Sequence, residues 1–417
     1  MFFQLPALLI STARLILLLG AAIGGLLASP FTANAGPQGP TSWAVIKCKF
    51  SDQPQEPTFD PSFITSNAGM AGYWRDASYG QISLDGTATS GWYTMGITLA
   101  QGQAMTRKQR IDACIAAATN VNTSKFYGVI AILNAKIDSG SQGGRVLLDP
   151  DAWFVSFAAH EMGHCYGLDH TFDEAAVSYD PNSDGRPGAY GDGWDIMSAM
   201  TFGNSNPVFA GTYGNSGPGL TTLNLDKLGW LTADRISTWD GTSKTVTLAA
   251  VNHPEANGFL MTKVPIDAAN PNHYYSVEFR RKTGWDAGIP QDTVLIHELR
   301  PDGLFQLIRA DGGAERLQDQ TFHDLNNNVA ITVLNINSAS STATINIGRN
   351  EVWVDFNHQG QPQLGTFDLP FGTLAAGVNA VAYNGTLRVK AGSRNETATI
   401  NKKMRIEAYG GPVTIGR

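Results

Sequence analysis

The residues best suited to chemistry lie in one short stretch, HEMGHCYGLDH, at positions 160–170. It holds three of the eight histidines of the chain. On a helix, His160 and His164 stand one turn apart on the same face, so their imidazole nitrogens can bind one zinc ion at about 2.0–2.1 Å. Glu161 then lies beside the metal, where it can take a proton from a zinc-bound water.

A third ligand, His170, follows the predicted end of this helix. It must turn back toward the metal, and Gly167 adopts the left-handed conformation that such a turn requires without Cβ strain. Three neutral histidines leave the fourth tetrahedral position for water, whose pKa zinc lowers to about 7. The pattern therefore predicts a zinc site rather than the alternative, three surface histidines without a metal.

The surrounding chain must supply the strands and helices that position this site. Before residue 150, apolar runs alternate with helical patterns, which is typical of an α/β layer. The predicted strands span residues 43–50, 81–95 with a hairpin-like turn, and 126–133, and the predicted helices span 60–74, 105–118 and 154–166. The last helix carries the first two histidines.

Downstream of the histidines the pattern changes twice. Residues 171–222 are rich in Gly, Asn, Ser, Asp and Pro, which predicts a long irregular segment of the kind that carries function. From about residue 236, short apolar runs alternate as in an antiparallel β-sandwich. Residues 351–417 hold short strands ending in Gly and a short helix after Pro370, which resemble the first coils of a right-handed parallel β-helix with a helical cap.

These patterns predict an α+β protein with four segments. They are a signal peptide over 1–35, a zinc-site domain over 36–235, a β-rich sandwich-like domain over 236–349, and a small β-helix-like segment over 350–417. The zinc-site domain is expected to contain a twisted mixed sheet flanked by helices.

The first 35 residues have the composition of a secretory signal. Arg14 is their only charged residue, and residues 15–28 are an apolar stretch. That stretch is too short to cross ~30 Å of hydrocarbon at 1.5 Å per residue, which disfavours the alternative of a membrane anchor. Ala33-Asn34-Ala35 is a small-x-small site, so we predict cleavage after Ala35, secretion, and no stable membrane insertion afterwards.

Composition and charge exclude several classes of partner. The chain is 42% hydrophobic and carries a formal net charge of −7 with no basic run. This composition predicts a folded protein and disfavours nucleic-acid and anionic-membrane binding. Of the three cysteines, Cys48 and Cys114 either pair or remain buried thiols.

The zinc motif also resembles that of a known family. HEMGHCYGLDH is similar to the extended motif of the metzincin metalloproteases, and WDIMS at 194–198 resembles their Met-turn. Further segments are similar to secreted metzincins of the immune inhibitor A and gametolysin kind, over roughly residues 43–300: AGYWRDASYGQISLDGTATSGWYTM, YGDGWDIMSAM and YYSVEFRRKTGWDAGIP. His170 in place of the Asp typical of the immune inhibitor A kind leaves the subfamily open.

The resemblance implies a metzincin-like catalytic fold and roles for further residues. Met197 would lie beneath the metal and support it. Residues 143–148 would form the edge strand that pairs with an extended peptide substrate, although an ordinary edge strand has the same pattern. Some metzincins place a Tyr two residues after the Met, and this chain has Ala199 there.

The sequence contains half of the pattern of a second cation site, the calcium-binding EF-hand loop. Asp180, Asn182 and Asp184 precede Gly185 with the spacing of the first half of an EF-hand loop. The twelfth position is Gly191, which cannot supply the bidentate carboxylate. The segment is therefore consistent with Ca²⁺ binding or with an Asx-rich turn without a metal.

The residues together predict a secreted zinc endopeptidase whose partner is a protein or peptide substrate. His160, His164 and His170 hold the metal, Glu161 is the general base, and Met197 supports the site. Two other functions remain open: an exported adhesin or matrix-binding protein with a vestigial metal site, and a zinc hydrolase that acts on a non-peptide substrate.

Overall fold

A five-stranded sheet with helices on both faces forms the N-terminal part of the protein. The computed structural model describes residues 36–174, 191–198, 209–309 and 313–416. The first strands and helices are β1 Gly39–Pro40, β2 Trp43–Lys49, α1 Ser62–Thr65, α2 Met70–Ala77, β3 Ile82–Ser83, β4 Ala88–Thr94, α3 Leu99–Gln103, α4 Arg107–Ala117, β5 Gly128–Leu133, β6 Gly140–Ser141, β7 Arg145–Leu148 and α5 Val155–Cys165. The sheet order is β4-β2-β5-β7-β6, with β6 antiparallel and the other strands parallel.

Side chains of this sheet alternate between two apolar cores. Trp43 and Val45 of β2 pack in the core that contains α2 and α5. Ile46 and Cys48 point to the opposite face and pack with α4. A strand that is covered on both faces is apolar almost throughout, which explains the run WAVIKCKF.

The two strands within residues 81–95 do not form the predicted hairpin. β3 pairs with β1, and β4 pairs with β2, and both pairs are parallel. A local turn pattern predicted pairing between neighbours in sequence, but β2 is a seven-residue buried strand that offers a longer partner for β4. The hairpin prediction is therefore wrong.

The helix predicted over 60–74 is broken in the middle. The backbone N–H groups of Gly69 and Gly72 both donate to the carbonyl oxygen of Ser66, which ends α1 and starts α2 in a new direction. A Cβ atom on Gly72 would lie 1.9 Å from the carbonyl oxygen of Asn67, so only glycine fits this close approach.

The strand predicted to form the edge of the sheet lies one position inside it. Within residues 143–148, β7 pairs with β5 on one side and with β6 on the other. The free edge therefore belongs to β6, in which Gly140 pairs with Leu147 and Ser141 with Val146. The edge-strand prediction for 143–148 is wrong, because a two-residue strand carries too little sequence pattern to be recognised.

The second half of the chain forms two large sheets and the two-stranded sheet β9-β10. Its elements are β8 Thr171–Asp173, β9 Ala210–Gly211, β10 Gly214–Asn215, α6 Thr222–Lys227, β11 Ile236–Thr238, β12 Lys244–Ala249, β13 Met261–Pro265, β14 Tyr274–Arg280, β15 Thr293–Leu299, β16 Phe305–Leu307, β17 Thr321–Asp324, β18 Val329–Asn337, β19 Thr342–Val354, α7 Leu374–Ala380, β20 Val381–Arg394 and β21 Arg405–Ile415. One sheet has the order β11-β13-β14-β15-β16-β8, and the other has β17-β18-β19-β20-β21 with β12 also on β19. One apolar core contains residues from both sheets, as in a β-sandwich.

The strand β8 connects the histidine segment to this sandwich. It begins at Thr171, directly after His170, and pairs in parallel with β16. The backbone that carries the third histidine is thus held by the downstream sheet, across the predicted boundary at residue 235.

The C-terminal strands are stacked in parallel. β19, β20 and β21 pair in that order, with α7 between the first two along the chain. Val352, Val354, Leu387 and Val389 point inward and pack against Val378 of α7. The strands are longer than the predicted short runs.

The α+β class predicted from the sequence is confirmed, whereas the four segment boundaries stay predictions. None of the helices in the described segments combines the length and the apolar character that a membrane span requires. The predicted signal peptide over 1–35 and the candidate calcium ligands Asp180, Asn182 and Asp184 lie outside the described residues.

A disulfide joins β2 to α4. Cys48 and Cys114 are bonded, with 66 positions between them in sequence, and Cys165 is free. This settles the choice that the sequence left open. Because the bond closes a long loop, it restricts the unfolded chain strongly.

We expect replacement of both Cys48 and Cys114 by Ala to lower the free energy of unfolding by about 2–4 kcal/mol. Urea denaturation under oxidising conditions measures this, with Cys165→Ala as the control that leaves the bond intact. Adding a thiol reductant should move the wild type toward the double variant. An unchanged midpoint in the double variant would contradict the bond.

Candidate metal centre

Helix α5 positions two of the predicted ligands and is anchored to the sheet. Its residue Met162 packs in the same core as β2. At its C-terminal end, the indole N–H of Trp43 donates to the hydroxyl of Tyr166 at 3.2 Å. His160 and His164 therefore project from a helix whose end is tied to the sheet.

The turn after α5 brings His170 back to the other two histidines. Gly167 has a φ of +95°, in the left-handed region, as predicted. The N–H of Leu168 donates to the carbonyl of Gly163 at 3.0 Å, which closes the helix end. The Nε2 atom of His170 consequently lies 3.1 Å from Nε2 of His164.

The three Nε2 atoms face a common point. Nε2 of His164 is 3.1 Å from Nε2 of His160 and from Nε2 of His170. Ligand nitrogens of one tetrahedral zinc at 2.0–2.1 Å are separated by about 3.3–3.4 Å, so the spacing fits a metal ion of this size. His160, His164 and His170 are the group in the described residues whose ligand atoms could hold one ion.

Backbone carbonyls determine the protonation of two of these rings. Nδ1 of His160 lies 2.8 Å from the carbonyl oxygen of Ile196, and Nδ1 of His164 lies 2.8 Å from that of Leu168. A carbonyl oxygen can only accept, so each Nδ1 carries a proton, and the tautomer that binds a metal is the one with a bare Nε2. Two lone pairs are thus directed at one place, which is favourable only with a cation between them.

Burial keeps His160 neutral. Its pKa is lowered to about 3, first by desolvation and then by the neighbouring His164, while the hydrogen bond to Ile196 opposes the shift. A neutral imidazole is the form that binds a metal. The ring is therefore ready to act as a ligand at neutral pH.

Glu161 lies on the same helix, directly after the first ligand. It is 8% exposed, and nothing in the described part of the chain donates a hydrogen bond to its carboxylate. Buried carboxylates usually have such donors. Among the described residues, no donor therefore competes with a water molecule or a substrate for this carboxylate.

Met197 packs against the ligand helix from the side of the core. It is fully buried, and its thioether occupies the space next to Gly163, where a Cβ atom would lie 2.4 Å from Sδ. The N–H of Thr171 donates to the Met197 carbonyl at 3.2 Å, which links this turn to the chain after His170. The turn over residues 192–198, named here the Met197 turn, thus contacts both ligand segments.

A buried carboxylate holds the Met197 turn to α6. Asp195 accepts hydrogen bonds from the Met197 N–H at 3.0 Å, the Thr221 hydroxyl at 2.7 Å and the Asn224 amide at 2.6 Å. Burial raises the pKa of Asp195 to about 6, helped by the nearby Asp192 and opposed by these donors. The three donors satisfy the buried oxygens of this carboxylate.

A second buried pair joins the same turn to the sandwich. Nε2 of His297, on β15, lies 3.0 Å from Asp192 Oδ2, and both side chains are fully buried. Burial alone would lower the pKa of His297, but the Asp192 carboxylate outweighs it and the pKa is raised. His297-Glu298 superficially repeats the zinc dipeptide, yet His297 supports the turn and does not reach the metal site.

Sequence reasoning found the three histidines and Met197, and the structure brings them together. It did not identify the residues that hold the Met197 turn in place, which are Asp192, Asp195, Thr221 and Asn224. The acidic residues flank the Met in a glycine-rich turn, which is a local signal, but their partners lie 26 to 105 positions away. No spacing pattern indicates such distant partners.

Comparisons with known proteins add little to this geometry. No family model matches the chain, and no curated protein matches it. Among solved structures, wild-type OgpA from Akkermansia muciniphila is 14% identical in sequence and superimposes with a TM-score of 0.27, over 73% of this chain and 90% of that chain. A similarity of this size carries no argument about function, so the site is interpreted from its own atoms.

We expect the purified protein to bind one zinc ion per chain and the His164→Ala variant to bind none after dialysis, because His164 lies between the other two ligands. Elemental analysis measures the stoichiometry. His323→Ala is the matched control, since His323 is exposed and contacts Asn350 elsewhere in the molecule. Full zinc content in His164→Ala would show that the metal is held at another place.

We expect Gly163→Ala to lower the free energy of unfolding by about 1–3 kcal/mol, because the added methyl displaces the buried Met197 thioether. Gly91→Ala is the control, since a Cβ atom there meets nothing within 4 Å. Urea denaturation and zinc retention are compared in both variants. Equal effects of the two substitutions would contradict the packing of Met197 on α5.

Proposed function

We propose that the protein is a secreted zinc-dependent endopeptidase of the metzincin type. The observation that supports this most is the convergence of three histidine Nε2 atoms, two of them from the helix α5 that also carries the buried Glu161. The proposed secretion depends on the composition of residues 1–35. The metzincin assignment depends on the motif over 160–170 and on Met197.

The proposed roles follow from the atoms that each residue presents. Nε2 of His160, His164 and His170 would hold the metal. A zinc ion there would lower the pKa of a coordinated water and polarise the carbonyl of a bound substrate. Glu161, which has no protein donor in the described part of the chain, accepts the proton of the attacking water and passes it to the leaving amine.

The free edge of the sheet offers a place for the substrate backbone. β6 is the outermost strand and contacts α5, which carries Glu161. An extended peptide can add to such an edge through main-chain hydrogen bonds. This proposal assigns to Gly140 and Ser141 the role that the sequence placed at 143–148.

We expect the protein to digest unfolded casein, and Glu161→Gln to lower the rate by about 10²–10⁴-fold with the zinc content unchanged. Glutamine keeps the size of the side chain but cannot accept the proton. A zinc chelator should abolish digestion by the wild type, and restored zinc should recover it.

The control for this experiment is again His323→Ala, which should digest casein at the wild-type rate. Full activity in zinc-loaded Glu161→Gln would contradict the role of Glu161. A zinc-loaded wild type that leaves casein intact, and that binds polysaccharide or matrix in the presence of chelator, would instead favour the binding-protein function.

A further inference from the structure

A polar cleft lies where the β-sandwich meets the C-terminal strands. Its volume is ≈ 540 Å³, a typical size for a pocket that binds a small ligand. Residues from β12, β19, β20 and the segment before β21 contribute to it. Most of the lining residues carry amide or hydroxyl groups, and Leu334 is the aliphatic residue among them.

The floor of the cleft is preorganised by Asn346. This residue is 5% exposed, and its amide nitrogen donates to Ser243 Oγ at 3.3 Å and to the Lys244 carbonyl at 3.2 Å. Its amide oxygen accepts from the Tyr383 N–H at 2.8 Å. Both sides of the cleft are therefore tied to one buried side chain.

Several lining side chains have unused hydrogen-bonding capacity. Within the described residues, the exposed amides of Asn379 and Asn401 and the hydroxyl of the half-buried Tyr383 make no hydrogen bond with the protein. Amides and hydroxyls both donate and accept, as do the hydroxyl groups of a sugar. The uncharged part of the lining therefore matches a ligand rich in hydroxyl groups.

Lys402 adds one positive charge to this lining. Its side chain is partly buried, and it has neither an ion pair nor a hydrogen bond with any described residue. Burial lowers the pKa of its ammonium group to about 8. An ammonium has donors and no acceptor, so an anionic group is its natural partner.

We propose that this cleft binds a sugar unit that carries one carboxylate, with the carboxylate at Lys402 and the sugar hydroxyls at Asn379, Asn401 and Tyr383. The site is separate from the metal centre and goes beyond the proposed peptidase function. It would attach the protein to an acidic glycan whether or not the metal site is active.

The test uses the full protein carrying Glu161→Gln, so that proteolysis does not interfere, and measures saturation-transfer NMR titrations. Glucuronate is the probe, glucose has the hydroxyls without the charge, and acetate has the charge without the hydroxyls. We expect glucuronate to bind at least about tenfold more tightly than either, since loss of a charge-assisted hydrogen bond has about this effect. Equal binding of glucose, equal binding of acetate, or no binding of glucuronate would each overturn the proposal.

Lys402→Met and Lys403→Met form a matched pair. Both remove one charge from neighbouring positions, but Lys403 is exposed and is not part of the lining. We expect Lys402→Met to raise the Kd for glucuronate about tenfold or more and Lys403→Met to leave it unchanged. Equal effects of the two variants would show that only long-range electrostatics changes the affinity for glucuronate. That result would overturn the proposed binding site.

A measurement on the unsubstituted lysine keeps the test valid if Lys402→Met does not fold. At pH 8, an amine-acylating reagent should modify Lys402 faster than Lys403, and glucuronate should protect Lys402 while glucose does not. Peptide mass spectrometry reads both positions in one sample. Modification of Lys402 that glucuronate leaves unchanged would overturn the proposal.

Discussion

The hydrogen bonds from histidine Nδ1 to backbone carbonyls are the constraint on which the metal centre depends. Because the carbonyls of Ile196 and Leu168 only accept, they keep the protons on Nδ1 and leave Nε2 of His160 and His164 bare. The Leu168 carbonyl comes from the turn that Gly167 permits. The Ile196 carbonyl lies 36 positions after His160 in the chain. The contacts that hold the Met197 turn in place therefore also hold the candidate metal centre in place.

Buried charged groups hold the Met197 turn in place. Ionised groups are expensive to bury unless donors or opposite charges surround them. Asp195 has three donors, and Asp192 faces His297 of β15. Arg280 of β14 is a neighbouring buried charged group, and it forms ion pairs with Glu278 and with Asp286.

This arrangement makes the sandwich part of the metal centre's support. Thr222, at the start of α6, donates from its N–H to Glu278 at 2.6 Å, and Gly219 donates to Asp286 at 2.9 Å. The Ile196 N–H in turn donates to the Gly219 carbonyl at 3.1 Å. A chain of hydrogen bonds thus runs from Arg280 of β14 through Asp286, Gly219 and Ile196 to His160.

Polar groups around the candidate metal centre and in the cleft differ in how far the protein satisfies them. Around the metal centre, Asp192, Asp195 and His297 have protein partners, which is expected of residues that support a structure. In the cleft, Asn379, Asn401 and Lys402 have no hydrogen bond or ion pair from their side chains to a described residue, and the two amides are exposed to solvent. Glu161 likewise differs from the buried carboxylates Asp192 and Asp195, because no described residue donates a hydrogen bond to it.

The sequence by itself determined the candidate ligand set, the helix that carries two of its three histidines, the glycine turn and the alternation of strands, because each depends on residues within one turn or one strand of each other. It did not reveal that β3 and β4 pair with different partners, that β6 is the free edge, or that His297 supports the Met197 turn. Strand pairing and buried ion pairs join residues that are distant in the chain, and the local periodicity of the sequence does not indicate which residues pair. Tertiary structure alone therefore decided which carbonyl faces His160 and which buried groups hold the turn that carries it.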